Sequence, residues 1–227
     1  MTKHYFLLNL LIIFSTGLFS NLKDLNLSLV KILSFDNSGN KLRATGFNIC
    51  KEGLIITNAH VLKYSKKILV IDHNLNELPF ISIIAKQKNP DLAIIKVINK
   101  SKIPPIDFLT FGILEEGDLA YFLDKAKKIY GKLVDVERDN GFYISNDIDY
   151  GHSGSPLFNK QNQLVGVVFA KRVLHFKKYG KVDMGGYAIP SRELVNFIRK
   201  NISLSSTLKS NDEKEINILV ASSDKHT

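Results

Sequence analysis

The chain has 227 residues, 44% apolar and 23% charged, an ordinary globular composition for one domain or two small units sharing a core. Its 14 Gly and 6 Pro are too few for a collagen-like or low-complexity chain, and a single cysteine excludes an intramolecular disulfide framework. The net charge of +9 admits an anionic partner, but the Lys and Arg residues are interleaved with Asp and Glu along the whole chain.

The first twenty residues read as an export signal. Lys3 and His4 give a short polar start, Tyr5 to Phe14 is apolar except for Asn9, and small residues follow at Ser15-Thr16-Gly17. The apolar stretch falls short of the roughly 18 residues that a membrane-spanning helix needs. Cleavage near Ser20 is expected. Membrane association would follow only if the segment were retained as an anchor.

Short strands separated by turns come next. Leu27 to Phe35 precedes the turn Asn37-Ser38-Gly39-Asn40, and Ala44 to Ile49 with Leu54 to Thr57 flank Lys51-Glu52-Gly53 as a hairpin. Cys50, at the end of an apolar run, reads as a buried thiol. Ile68 to Ile71, Phe80 to Ala85 and Leu92 to Ile98 complete a first set, and Pro104-Pro105 marks a connector, with the break expected over residues 100–106.

The second set is Leu119 to Leu123, Tyr130 to Val136, Phe142 to Ser145, Pro156 to Phe158, Leu164 to Ala170 and Tyr187 to Ile189. Asp139-Asn140-Gly141 is a hairpin signal, because Asn-Gly tolerates the positive φ of a tight turn. The densest basic run, Lys171, Arg172, Lys177, Lys178 and Lys181, shows no nucleic-acid motif and reads as a solvated loop; no nucleic-acid partner is expected. Ser191 caps a closing helix through Lys200, with Leu194, Val195, Phe197 and Ile198 as its apolar stripe. Residues 202–227 read as a polar tail, with one strand-like run at Ile216 to Ala221. The fold class is therefore all-β: two packed antiparallel six-stranded β-barrels and a C-terminal helix, in one unit over residues 21–201.

Three segments carry chemistry. In Ile55-Ile56-Thr57-Asn58-Ala59-His60 a histidine directly follows an apolar strand, and in Asn89-Pro90-Asp91-Leu92-Ala93-Ile94 a carboxylate stands at the mouth of one. In Gly151-His152-Ser153-Gly154-Ser155-Pro156 a serine lies between glycines. A serine hydroxyl is a weak nucleophile at neutral pH and needs a base to take its proton during attack. Imidazole titrates in the right range, and a carboxylate on its other nitrogen fixes the tautomer. Glycines beside the serine free backbone N–H groups to meet a developing oxyanion. No clustered His/Cys spacing points to a metal, and no cofactor is implied.

In the order His, Asp, Ser, these segments resemble the HtrA-type branch of trypsin-like serine peptidases. Thr45-Gly46-Phe47, Asp91 to Val97, Gly117-Asp118, Gly151 to Phe158 and Gly186-Tyr187-Ala188-Ile189-Pro190-Ser191 extend the likeness over roughly residues 25–200. The resemblance implies that Ser153 is the nucleophile, His60 the base and Asp91 its orienter. It implies an oxyanion hole from the N–H groups of Gly151 and Ser153, helped by His152. Phe169, Ala170 and Lys171 would pair with substrate backbone, and Gly186 would border the pocket for the residue before the scissile bond.

Departures from that pattern are informative. The branch usually carries PDZ modules after the barrel, and only the polar tail follows here. It usually has Asn before the nucleophile and Gly two residues after it; His152 and Ser155 stand at those places. Asp147 lies where the digestive trypsins hold the acid that pairs with Lys or Arg, whereas Ile148 and Lys171 argue against so open a pocket. Both basic and small apolar preferences stay open. If the His152 ring faces the site, its protonated form would disfavour the imidazolium that His60 must become. The expected function is that of an exported, periplasmic or secreted, serine endopeptidase acting on proteins or peptides; the alternative is a catalytically silent barrel used for binding or adhesion.

Overall fold

The computed structural model describes residues 22–106, 112–137, 141–176 and 180–202. The expected signal segment, Asp139 and Asn140 of the hairpin turn, Lys177 and Lys178, and the tail from residue 203 lie outside the described residues.

Two antiparallel sheets build the molecule. The first holds β1 (Leu29–Phe35), β2 (Lys41–Asn48), β3 (Leu54–Thr57), β4 (Lys67–Ile71), β5 (Glu77–Leu78), β6 (Phe80–Gln87) and β7 (Leu92–Val97), in the order β5-β4-β1-β2-β3-β7-β6. β5 and β6 stand at opposite edges of this sheet, yet only Pro79 separates them in sequence. The sheet must therefore curl until its two edges meet at that residue. Proline has no N–H to give to a ladder, so Pro79 divides what would be one strand into two. The first unit is thus a curled half-barrel in place of the first expected barrel, seven strands that reduce to the expected six when β5 and β6 are counted as the one strand Pro79 divides.

The second sheet is the expected closed barrel of six strands. β8 (Leu119–Asp124), β9 (Lys127–Glu137), β10 (Gly141–Ile144), β11 (Pro156–Asn159), β12 (Leu164–Phe176) and β13 (Gly180–Pro190) run in the cyclic order β10-β13-β12-β11-β8-β9. A short helix, α1 (Leu22–Leu27), precedes the first sheet, and α2 (Ser191–Ile202) follows the barrel. Glu193 in the first turn of α2 and Arg199 and Lys200 in its last complement the helix dipole.

Strand periodicity sorts the apolar residues into three cores. Ile32, Ala44, Ile55, Val70, Ala93 and Ile95 fill the curled sheet. Ala120, Phe122, Leu133, Phe142, Ile144, Leu157, Val165, Val168 and Ala188 fill the barrel. Between the two lies a third core, in which Phe47, Leu54, Ile56, Leu92 and Ile94 of the first sheet meet Tyr121, Phe158, Leu164, Val167 and Ile189 of the second. Phe197, Ile198 and Ile202 of α2 seal it. This explains the apolar runs Leu54 to Ile56 in β3 and Leu92 to Ile95 in β7: alternate side chains point into the curled sheet and into the interface, so both faces are buried there. Full burial of one such Ile or Leu contributes about 1.5–3 kcal/mol.

β12 and β13 extend far beyond their predicted lengths. The pairing continues through Val173↔Asp183, Leu174↔Val182, His175↔Lys181 and Phe176↔Gly180, so Lys171, Arg172 and Lys181 of the basic stretch lie on a two-stranded ribbon and not in a loop. A ribbon that stands in water tolerates Lys and Arg on strand positions, which is why composition alone suggests a loop.

Candidate active site

His60 and Asp91 meet because β3 and β7 are neighbours. Thr57 pairs with Ala93, so the residues just past the end of β3 lie beside those just before β7. Asn58 precedes a 3-10 turn, Ala59–Leu62, that carries His60. The Asp91 carboxylate accepts the backbone N–H of His60 through Oδ1 at 2.9 Å, and its Oδ2 lies 2.5 Å from ring Nδ1. The side chains are 38% and 19% exposed respectively, so the ring is open to solvent on one side while the carboxylate is largely covered. Asn58 steadies the acid, its Nδ2 donating to the Asp91 carbonyl at 2.8 Å. With Nδ1 facing a carboxylate, the ring proton resides there and Nε2 carries the free lone pair.

Ser153 comes from the other unit, in the loop before β11, and a residue of β2 fixes that loop. The Thr45 N–H donates to the Ser153 carbonyl at 2.8 Å, and Thr45 Oγ1 donates to the Gly151 carbonyl at 2.8 Å. On the other side, the Gly154 N–H donates to the Val168 carbonyl at 2.8 Å. Gly154 has φ +84°, and a Cβ there would lie 2.1 Å from the Thr45 carbonyl oxygen, so no other residue fits between the loop and β2. Thr45 belongs to a segment noted in the sequence, but nothing in its local pattern revealed that it anchors residues more than a hundred positions away.

With both carbonyls held, the N–H groups of Gly151 and Ser153 have no hydrogen-bond partner among the described residues. Gly151 has φ +104°. The His152 N–H is committed to the Asp149 carbonyl at 3.2 Å, so it does not join those two donors as the sequence reading had it. The direction of the His152 ring, left open by the sequence, is set by two contacts: Nδ1 accepts the Asp149 N–H at 3.0 Å, and the ring lies 4.8 Å from Phe122. The Ser153 hydroxyl donates to the Phe169 carbonyl at 3.5 Å. No Ser153–His60 side-chain hydrogen bond is present among the described residues, and such bonds commonly form only once substrate is in place.

The other expected residues separate into two groups. Ile148 is 2% exposed, and a Cβ placed on Gly186 would lie 2.1 Å from Ile148 Cδ1 and 2.5 Å from the Ala170 carbonyl. Ala170 and Lys171 face Tyr187 and Gly186 across the β12–β13 ladder. Ile148, Phe169, Ala170 and Gly186 therefore gather near the serine, with Lys171 exposed at the edge. Asp147 stands apart: its side chain is exposed to solvent and does not floor that apolar corner. Ser155, the other serine of the motif, is fully buried, and its hydroxyl has no partner among the described residues.

Chemically, the site combines a part-exposed hydroxyl, an imidazole fixed in one tautomer and two unengaged N–H donors beside the hydroxyl. Those are the parts that acyl transfer requires. Among the described residues no group of three His, Cys, Asp or Glu side chains could hold a metal ion.

Comparison with known proteins identifies the family and the fold. The family model of the trypsin-like peptidase domain matches residues 44–167, more than half of the chain, and the span includes His60, Asp91 and Ser153. A serine protease HTRA1 from Xenopus laevis is 26% identical over 188 residues, covering 75% of this chain and 39% of the relative. A probable periplasmic serine endoprotease DegP-like from Chlamydia trachomatis is 31% identical over 166 residues, covering 66% and 32%. The chain thus spans about two fifths or less of the length of these relatives. The solved serine endoprotease from Yersinia pestis superposes with a TM-score of 0.64 at 19% identity, covering 82% of this chain and 68% of that one, a likeness of fold.

Proposed function

The chain belongs to the trypsin-like peptidase family, and from that premise we propose that it is an exported serine endopeptidase with Ser153 as nucleophile, His60 as general base and Asp91 as the group that orients the base. The observation that carries this reading is the double grip of Asp91 on His60, through ring Nδ1 and backbone N–H, together with a serine whose own N–H and that of Gly151 are unengaged.

Ser153 Oγ attacks the scissile carbonyl carbon while its proton passes to His60 Nε2. The carbonyl π pair moves onto oxygen, and the N–H groups of Gly151 and Ser153 receive that oxyanion, each donor contributing about 2.7–4 kcal/mol. Collapse breaks the C–N bond, and His60 returns the proton to the departing amine. Water then attacks the acyl-enzyme with His60 again as base; the acid leaves and the serine is restored. Asp91 stays ionised throughout, stabilising the imidazolium and holding its tautomer.

The residue before the scissile bond is read as small and apolar. Ile148 and Gly186 are in close contact near the serine, while the Asp147 carboxylate is in solvent and would offer little to a buried Lys or Arg. Substrate backbone would run along β12 at Phe169 to Lys171. Export rests on the apolar segment Tyr5 to Phe14 and on relatives whose names call them periplasmic. Residues 21–201 would form the catalytic unit, between a signal over 1–20 and a polar tail.

Casein zymography beside the Ser153→Ala variant tests the reading. Clearing by the wild type and none by the variant is expected. A folded wild type that clears no casein and takes no fluorophosphonate probe would leave the chain a binding barrel.

A further inference from the structure

The loop that presents the two donors is closed by a clasp at His152. The His152 N–H donates to the Asp149 carbonyl at 3.2 Å, forming a four-residue turn with Tyr150 and Gly151 at its centre. In return the His152 ring reaches back, and Nδ1 accepts the Asp149 N–H at 3.0 Å. Gly151, at φ +104°, is the third residue of that turn, so its N–H points where the turn points it. The Tyr150 side chain is fully exposed and does not pack against the loop.

The clasp dictates a protonation state. A backbone N–H can only donate, so Nδ1 must carry a lone pair and the single ring proton resides on Nε2. The ring is held in that pose by Phe122 at 4.8 Å, and the side chain is only 15% exposed. Two carboxylates belong to its surroundings. Asp124, at the end of β8, has Oδ2 3.9 Å from Nε2, too long for a hydrogen bond. Asp149, in the loop itself, is exposed and spends Oδ1 on the Tyr150 N–H at 2.7 Å. Phe122, from the same strand as Asp124, carries no charge.

We propose that His152 is a positioning residue for the oxyanion-binding N–H groups, acting only as the neutral Nε2–H imidazole, so that protonation of its ring opens the clasp and disables the site. A proton on Nδ1 would set two donors against each other at hydrogen-bond distance, and the turn holding Gly151 would lose the ring's bond to the Asp149 N–H and keep only its backbone bond. The inference rests on the serine-peptidase reading but concerns a group that does not touch substrate. His60 and His152 then act in opposite senses of one requirement: both must be neutral in the resting enzyme, one to accept a proton from serine and the other to hold the loop.

Asparagine separates the two roles of the ring. Its Oδ1 occupies the place of Nδ1 and accepts the Asp149 N–H, but it does not titrate. His152→Asn is therefore expected to keep kcat within about threefold of the wild type at alkaline pH, while His152→Ala, which has no acceptor, loses up to about a hundredfold in kcat with little change in KM. On the acid side, kcat/KM of the wild type falls with a limiting log–log slope near two, one proton each for His60 and His152, and that of His152→Asn with a slope near one. In 15N-labelled wild type, the His152 ring is expected as the Nε2–H tautomer, with the Asp149 amide resonance moving in the same acid step. Superimposable profiles for wild type and His152→Asn, or an Nδ1–H tautomer, would overturn the proposal. A wild type without turnover would overturn the peptidase reading and not the clasp, which the ring and amide resonances decide by themselves.

Discussion

Asp91 holds His60 at two points, the ring Nδ1 at 2.5 Å and the backbone N–H at 2.9 Å, so that one carboxylate sets both the position and the tautomer of the imidazole. Asp91→Asn keeps an oxygen for the backbone N–H but can present an amide N–H to the ring, which forces the proton onto Nε2. The variant should fold normally by circular dichroism and lose about 10⁴-fold in kcat on a fluorogenic peptide. A loss under tenfold would mean that the carboxylate does not fix the tautomer.

Ser153 and Ser155 differ in what surrounds them. The Ser153 hydroxyl is part-exposed beside the Phe169 carbonyl, whereas Ser155 Oγ is buried with no partner. Ser155→Ala removes an unsatisfied hydroxyl and should leave stability unchanged or raise it by about 1 kcal/mol in urea unfolding. It should retain fluorophosphonate labelling, and Ser153→Ala should lose it. Labelling that persists in Ser153→Ala ends the assignment of the nucleophile.

Thr45 ties the first sheet to the nucleophile loop. Thr45→Val preserves shape but leaves the Gly151 carbonyl without its 2.8 Å donor. We expect a stability loss of about 1–3 kcal/mol and a fall in kcat of about tenfold or more with KM nearly constant. A rise in KM with constant kcat would instead assign Thr45 to substrate binding.

A cleavage profile on a peptide library should favour Val, Ala and Ile before the scissile bond and discriminate against Lys and Arg. The reason is the contact of Ile148 with Gly186 and the solvent exposure of Asp147. Efficient cleavage after Lys or Arg that Asp147→Asn abolishes would reverse this reading.

Burial pushes the Cys50 thiol up from about 9 to about 11, with backbone donors from Leu54 and Glu52 opposing the shift only in part. Between those two values the unfolded chain releases a proton that the folded one keeps, so stability falls as pH rises from about 9 to about 11. The loss amounts to about 2–3 kcal/mol by the top of that window. Cys50→Ala should flatten the alkaline fall in urea unfolding, and a thiol reagent should reach Cys50 only when the protein unfolds. Rapid labelling of the native protein would show the thiol to be accessible.

Much of the fold was legible because strand periodicity is local. The apolar runs Leu54 to Ile56 and Leu92 to Ile95 read as strands, and the structure buries them between a curled sheet and an interface core. The β5–β6 division was not legible, because Pro79 matters only once the sheet has curled far enough to bring its edges together. The β12–β13 ribbon was missed for the opposite reason: its charges mimic a loop when the partner strand is unknown.

Residue types and their order determined which side chains are competent for acyl transfer, since only a hydroxyl, an imidazole and a carboxylate in such settings can share that work. Direction was decided elsewhere. The Gly151 carbonyl is turned by Thr45, 106 positions away, and the His152 ring is turned by Asp149 and Phe122. A loop side chain has no periodicity to orient it. Its rotamer is chosen by whichever distant donor, acceptor or ring the fold brings within a few ångströms, and that choice exists only in three dimensions.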